Sequence, residues 1–97
     1  MNTFCAISDG TTTIPLTEDF RKQSGTTYYK VCSHDYGTSY RTIIAQILTF
    51  DGQDWNASLD TERIPVDVRR DMGALFRDHN PKAWEGSPPG FRNYFGV

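Results

Sequence analysis

The sequence predicts an α+β domain: an antiparallel sheet of four to five strands, one main helix over residues 65-79 packed on one face, and an extended aromatic carboxy-terminal segment. Three observations carry that prediction. Arg41 to Phe50 is apolar on both alternating registers, Thr26 to Ser33 alternates with period two, and Val68, Met72, Leu75, Phe76 and His79 recur at helical spacing. A chain of 97 residues has room for one domain, residues 1-97, with a single core.

Taken in order, Phe4 to Ser8 and Thr11 to Ile14 flank Asp9-Gly10, the pattern of a hairpin on a two-residue type I′ turn. Pro15 has no amide hydrogen for a ladder, so the second arm ends there or lies at a sheet edge. Leu16 to Gly25 is mixed and charged and reads as a solvated loop. In the next strand Thr26, Tyr28, Lys30 and Cys32 share one face, and Thr27, Tyr29, Val31 and Ser33 the other. His34 to Thr38 supplies a turn, with Gly37 available for positive φ.

Arg41 to Phe50 is expected to be the central strand, with Ile44, Leu48 and Phe50 on one face and Ile43, Ala45 and Ile47 on the other. Asp51-Gly52 signals a two-residue loop, which would set Trp55 across from Leu48 and inside the core. Pro65 suits the first position of a helix, Asp67 suits its positive end, and Asn80-Pro81 stops it. Gly73 within that helix points to a close approach to the sheet. Beyond it, Trp84, Phe91, Tyr94 and Phe95 are too much apolar area to leave in water, so the tail is expected to dock, with Pro88-Pro89 extended.

Ten basic and twelve acidic side chains leave a net charge of -2, which excludes a broad basic field for non-specific nucleic-acid binding. No apolar run is long enough for a signal peptide or a membrane span, so the expected location is cytoplasmic, and Cys5 and Cys32 are expected as buried, reduced thiols. Cys5, Cys32, His34 and His79 are the metal-ligating types present. They form no Cys or His knuckle, and neither metal nor cofactor is expected. A thiolate of Cys5 or Cys32 with His34 or His79 as base would make a small Cys/His enzyme, and Asp51, Asp54, Asp60, Glu62 and Asp67 offer carboxylates for acid-base pairing. Capping, turn formation and solvation are the commoner fates of such groups.

Without a catalytic or cofactor motif, a small aromatic-rich chain fits a non-enzymatic protein-binding module. A setting that suits it is inhibition of a host defence complex by a phage or mobile-element accessory protein, of the anti-CRISPR kind. The residues expected to meet a partner are Tyr28, Tyr36, Tyr40, Trp84, Phe91, Arg92, Tyr94 and Phe95. The alternative is a single-stranded nucleic-acid binder that stacks bases on the sheet tyrosines beside Lys30 and Arg41. Pairing of two copies through the edge near Thr11 to Ile14, or through the tail, is compatible with the same pattern, and no membrane partner is expected.

Overall fold

The computed structural model describes residues 2–59 and 61–96. Met1, Val97 and Asp60, the last of these among the carboxylates considered for acid-base pairing, lie outside the described residues. The fold is α+β. Strands β1 (Asn2–Ser8), β2 (Thr13–Pro15), β3 (Thr27–Asp35), β4 (Tyr40–Phe50) and β5 (Trp55–Ser58) precede helices α1 (Val66–His79), α2 (Pro81–Gly86) and α3 (Pro89–Tyr94). All strand pairs are antiparallel, in the order β2-β1-β3-β4-β5. The middle position therefore belongs to β3, and β4 lies beside it.

Alternation in the sequence becomes two faces of different character. On the first, Ala6, Val31 and Ala45 stand side by side across β1, β3 and β4, all almost wholly buried. Two of the three are alanines, which leaves room for Met72 and Phe76 of α1 to descend onto the sheet, both at 0% exposure. Tyr40, Phe76, Phe91, Trp84 and Phe95 complete this core as rings packed edge-on, tilted or stacked, with neighbouring centroids 5.1 to 6.0 Å apart.

Polar groups hold the helices in place over that face. The Asn80 amide hydrogen closes α1 on the Phe76 carbonyl, its side-chain oxygen accepts from Ala83 N to cap α2, and its Nδ2 donates to the Asp35 carboxylate at 3.0 and 3.1 Å. Ser87 Oγ accepts from Tyr40 N at 2.9 Å and donates to the Ala83 carbonyl. The Tyr40 hydroxyl donates to the Phe76 carbonyl at 2.6 Å. Burial, with the Asp35 carboxylate nearby, raises the Tyr40 phenol well above its ordinary range. Gly86 lets α2 settle on the β3–β4 turn, because a methyl group there would collide with the Thr38 carbonyl oxygen.

Several expectations are corrected by this structure. Neither Asp-Gly pair makes a two-residue turn. Each aspartate instead opens a four-residue loop and accepts two backbone hydrogens on one oxygen: Asp9 Oδ1 from Thr11 and Thr12, Asp51 Oδ1 from Gln53 and Asp54. Trp55 consequently pairs with Phe50, Leu48 pairs with Ala57, and Trp55 is half-buried on the second face rather than inside the core. The tail is not extended: Pro81 and Pro89 begin short helices, where a missing amide hydrogen costs nothing. Gly73 approaches Phe95 and Trp84 of that tail, not the sheet; an added Cβ would stand 2.8 Å from Phe95 Cβ. A bulge between β3 and β4 leaves Thr42 as the extra residue at φ 67°. Left-handed backbone at a β-branched residue costs about 1 to 2 kcal/mol.

Cys5 and Cys32 are not thiols but a disulfide. They are directly opposed in the β1–β3 ladder with Cα atoms 4.1 Å apart, and the Cys5 carbonyl is turned toward β2, where it accepts from Leu16 N. Side chains meet most closely at such a non-hydrogen-bonded pair. The same bridge removes both thiolates from the zinc and Cys/His nucleophile readings.

Candidate binding face

Among the described residues no helix lies over the second face of the sheet. Its rows across the strands are Cys5, Cys32 and Ile44, then Ile7, Lys30 and Gln46, then Tyr28, Leu48 and Ala57. Among the described residues only the segment between β2 and β3 crosses this face. It is a loop, as expected, yet it is anchored rather than simply solvated: Leu16 and Phe20 pack against Ile7, Tyr28 and Leu48, and Gln23 N donates to the Tyr28 hydroxyl at 2.9 Å.

Between this loop and β5 lies a groove of about 720 Å³. Its floor and walls are Ile7, Leu16, Phe20, Leu48, Phe50, Trp55 and Ala57, and its polar lining is Thr17, Arg21, Lys22, Lys30 and Gln46. The rings are fixed to one another: Phe20 meets Tyr28 edge-on at 5.3 Å, Tyr28 meets Trp55 at 5.6 Å, and Trp55 meets Phe50 at 5.5 Å. Lys22 Nζ stands 4.6 Å from the Phe50 centroid and 5.2 Å from that of Trp55. The lining contains three cations and no carboxylate, and among the described residues none of the three is paired with one. A surface of this kind can take apolar side chains into its floor and anionic groups at its rim.

The residues expected to meet a partner are not brought together here. Tyr40, Trp84, Phe91 and Phe95 are 0 to 6% exposed within the helix-covered core, and Tyr28 is 4% exposed beneath Phe20 and Trp55. They have no surface to offer, because a small domain closes its core with the aromatics it has. Arg92 and Tyr94 are half-buried. The Tyr94 hydroxyl donates to the Thr61 carbonyl under Arg69, and burial raises its phenol despite that cation. Tyr36 alone of the set is well exposed, at 48%, beside His34 and Arg41 at the β3–β4 turn.

Of the groove residues, Lys30 is expected at a site only in the nucleic-acid alternative, beside the sheet tyrosines, and Lys22, Gln46, Phe50 and Trp55 are not expected at one. A signal for two of them lay in the alternation. Lys30 shares a face with Tyr28 and Cys32, and Gln46 with Ile44 and Leu48; their register sets them opposite each other, marking that face as the one unfit for complete burial. Among the described residues no helix is long and apolar enough to cross a membrane. No family model, curated protein or solved structure matches this chain.

Proposed function

We propose that the chain is a small protein-binding module whose open sheet face receives a segment of its partner. The observation that carries this reading is the asymmetry of the sheet. One face is sealed by α1 to α3, while the other keeps a walled apolar groove with unpaired cations at its rim. Apolar side chains held at an open groove release free energy when a partner removes them from water. Cytoplasmic residence fits poorly with the Cys5–Cys32 bridge, since reducing compartments hold cysteines as thiols.

Affinity capture from a lysate of the source organism tests the proposal, with the parent chain compared against Trp55→Ser with Lys30→Glu and, separately, Tyr36→Ala with Arg92→Ala. Loss of one reproducible protein only with the groove pair supports it. Loss only with the second pair moves the interface to the turn and tail.

Single-stranded nucleic acid is the second reading, and Lys22 and Lys30 beside Trp55 and Phe50 favour it. Tyr28 and Tyr40, however, are buried and unavailable for stacking, and the net charge of -2 opposes a phosphate chain. Salt-sensitive retention on immobilised single-stranded DNA, lost in the groove pair, would reverse the preference.

A further inference from the structure

Resting on the reading of the open face as the binding site, we infer that the groove selects an acidic peptide segment, in which Asp or Glu flanks at least one large aliphatic or aromatic side chain. The chain has three lysines, and two of them, Lys22 and Lys30, line this one groove. Each is held where it is. Lys22 lies over the Phe50 and Trp55 rings, and Lys30 is half-buried in the strand row between Ile7 and Gln46.

Among the described residues neither the exposed Lys22 nor the half-buried Lys30 has a carboxylate partner, so the attraction of each ammonium for an anion is unsatisfied in the free protein. An occupant that supplies a carboxylate satisfies it, so the charge selects the occupant. The net charge of -2 opposes any anion at long range, so the selection rests on the cations that line the groove itself. Leu16, Phe20 and Trp55, half-buried in the walls above the buried Ile7 and Leu48, supply the place for the occupant's apolar anchor.

A peptide fits better than a base-stacking strand. Lys22 already occupies the faces of Phe50 and Trp55, and Tyr28 and Phe20 meet edge-on with no free face between them. A peptide also fits better than a small amphiphile, which needs a site that encloses most of its surface. This groove is walled by the loop on one side and by Trp55 on the other, and no helix covers it.

The test is selection from a displayed random-peptide library on the immobilised chain, followed by amide chemical-shift mapping of the strongest synthetic binder. The expected result is enrichment of Asp and Glu next to Leu, Ile, Phe or Trp, with shifts at Ile7, Lys30, Gln46 and Leu48. Affinity should fall about tenfold or more when the binder's acids become amides or when K22E and K30E are combined. The neutral pair K22Q and K30Q serves if charge reversal impairs folding, with the melting temperature as the check.

Selected peptides that shift those amides but carry no acidic bias would overturn the inference and leave the open face standing as the site. Shifts confined to Tyr36 or to α3, or no enriched sequence at all, would overturn both. Tighter binding of oligothymidylate or of dodecanoate in the same groove would overturn the peptide assignment.

Discussion

Opening the Cys5–Cys32 bridge should cost this domain a large part of its stability. The two cysteines are 27 residues apart in sequence, and closing a loop of that length in the unfolded chain removes entropy equivalent to about 3.5 kcal/mol at 25 °C. The packing lost is small by comparison, since both cysteines are only half-buried and both strands stay hydrogen-bonded to their neighbours without the bridge. Unfolding entropy of about 2.1 cal/mol/K per residue gives a 97-residue chain about 0.2 kcal/mol/K, so the loss corresponds to a fall of about 15 to 20 °C in melting temperature. Calorimetry of the parent with and without a phosphine reductant measures it, and the Cys5→Ala, Cys32→Ala chain, which reductant cannot affect, supplies the control. Reduced and oxidised parent melting within about 3 °C of each other would refute the loop-entropy argument. Two reactive thiols in the unreduced, denatured protein would refute the bridge itself.

Three other perturbations address the packing. Gly86→Ala should cost about 3 kcal/mol or more, because the added methyl meets the Thr38 backbone, which has no side chain to move aside; Gly90→Ala, where no atom lies within 4 Å, should be neutral or stabilise α3 by up to about 1 kcal/mol. Leu48→Ala, at 7% exposure, should cost about 2 to 4 kcal/mol by urea denaturation, whereas Ile44→Ala, at 45% exposure on the same strand and face, should cost about 1 kcal/mol or less; equal losses would mean that the second face is not open. Backbone hydrogen bonds from Thr12 and Thr11 to Asp9, and from Asp54 and Gln53 to Asp51, lower both carboxyls below their ordinary value. The stability they contribute is therefore present above the ordinary carboxyl range and lost as pH falls through the lowered values. Asp9→Asn with Asp51→Asn keeps the acceptors and should flatten that part of the acid melting profile, so parallel profiles for parent and variant would contradict the assignment.

What was legible in the sequence was local. Period two in Thr26 to Ser33 and Arg41 to Phe50, and helical spacing from Val68 to His79, report the side on which each element is apolar, and β3, β4 and α1 follow. The disulfide was illegible because it depends on β1 lying between β2 and β3, in a register that puts Cys5 opposite Cys32, a pairing of distant segments. The tail was misjudged although Pro81 and Pro89 carry the helix-starting chemistry recognised at Pro65. Pro88-Pro89 reads as extended when only the pair is considered, and Pro88 is indeed extended, as the cap of α3. The tyrosines misled for a tertiary reason: Tyr40 stacks on Phe91 from the tail and Tyr28 lies under Phe20 from the loop, contacts that no spacing within either strand reveals.

The placement of lysines makes the central claim directly measurable. Lys22 and Lys30 line the groove, while Lys82 lies exposed on α2 among the helices that cover the other face. Reductive methylation of the chain, free and bound to its captured partner, followed by peptide mass spectrometry, reports the accessibility of each. The account predicts that binding protects Lys22 and Lys30 and leaves Lys82 reacting at its free rate. Protection of Lys82, with Lys22 and Lys30 unchanged, would place the partner on the helices and contradict the assignment of the open face.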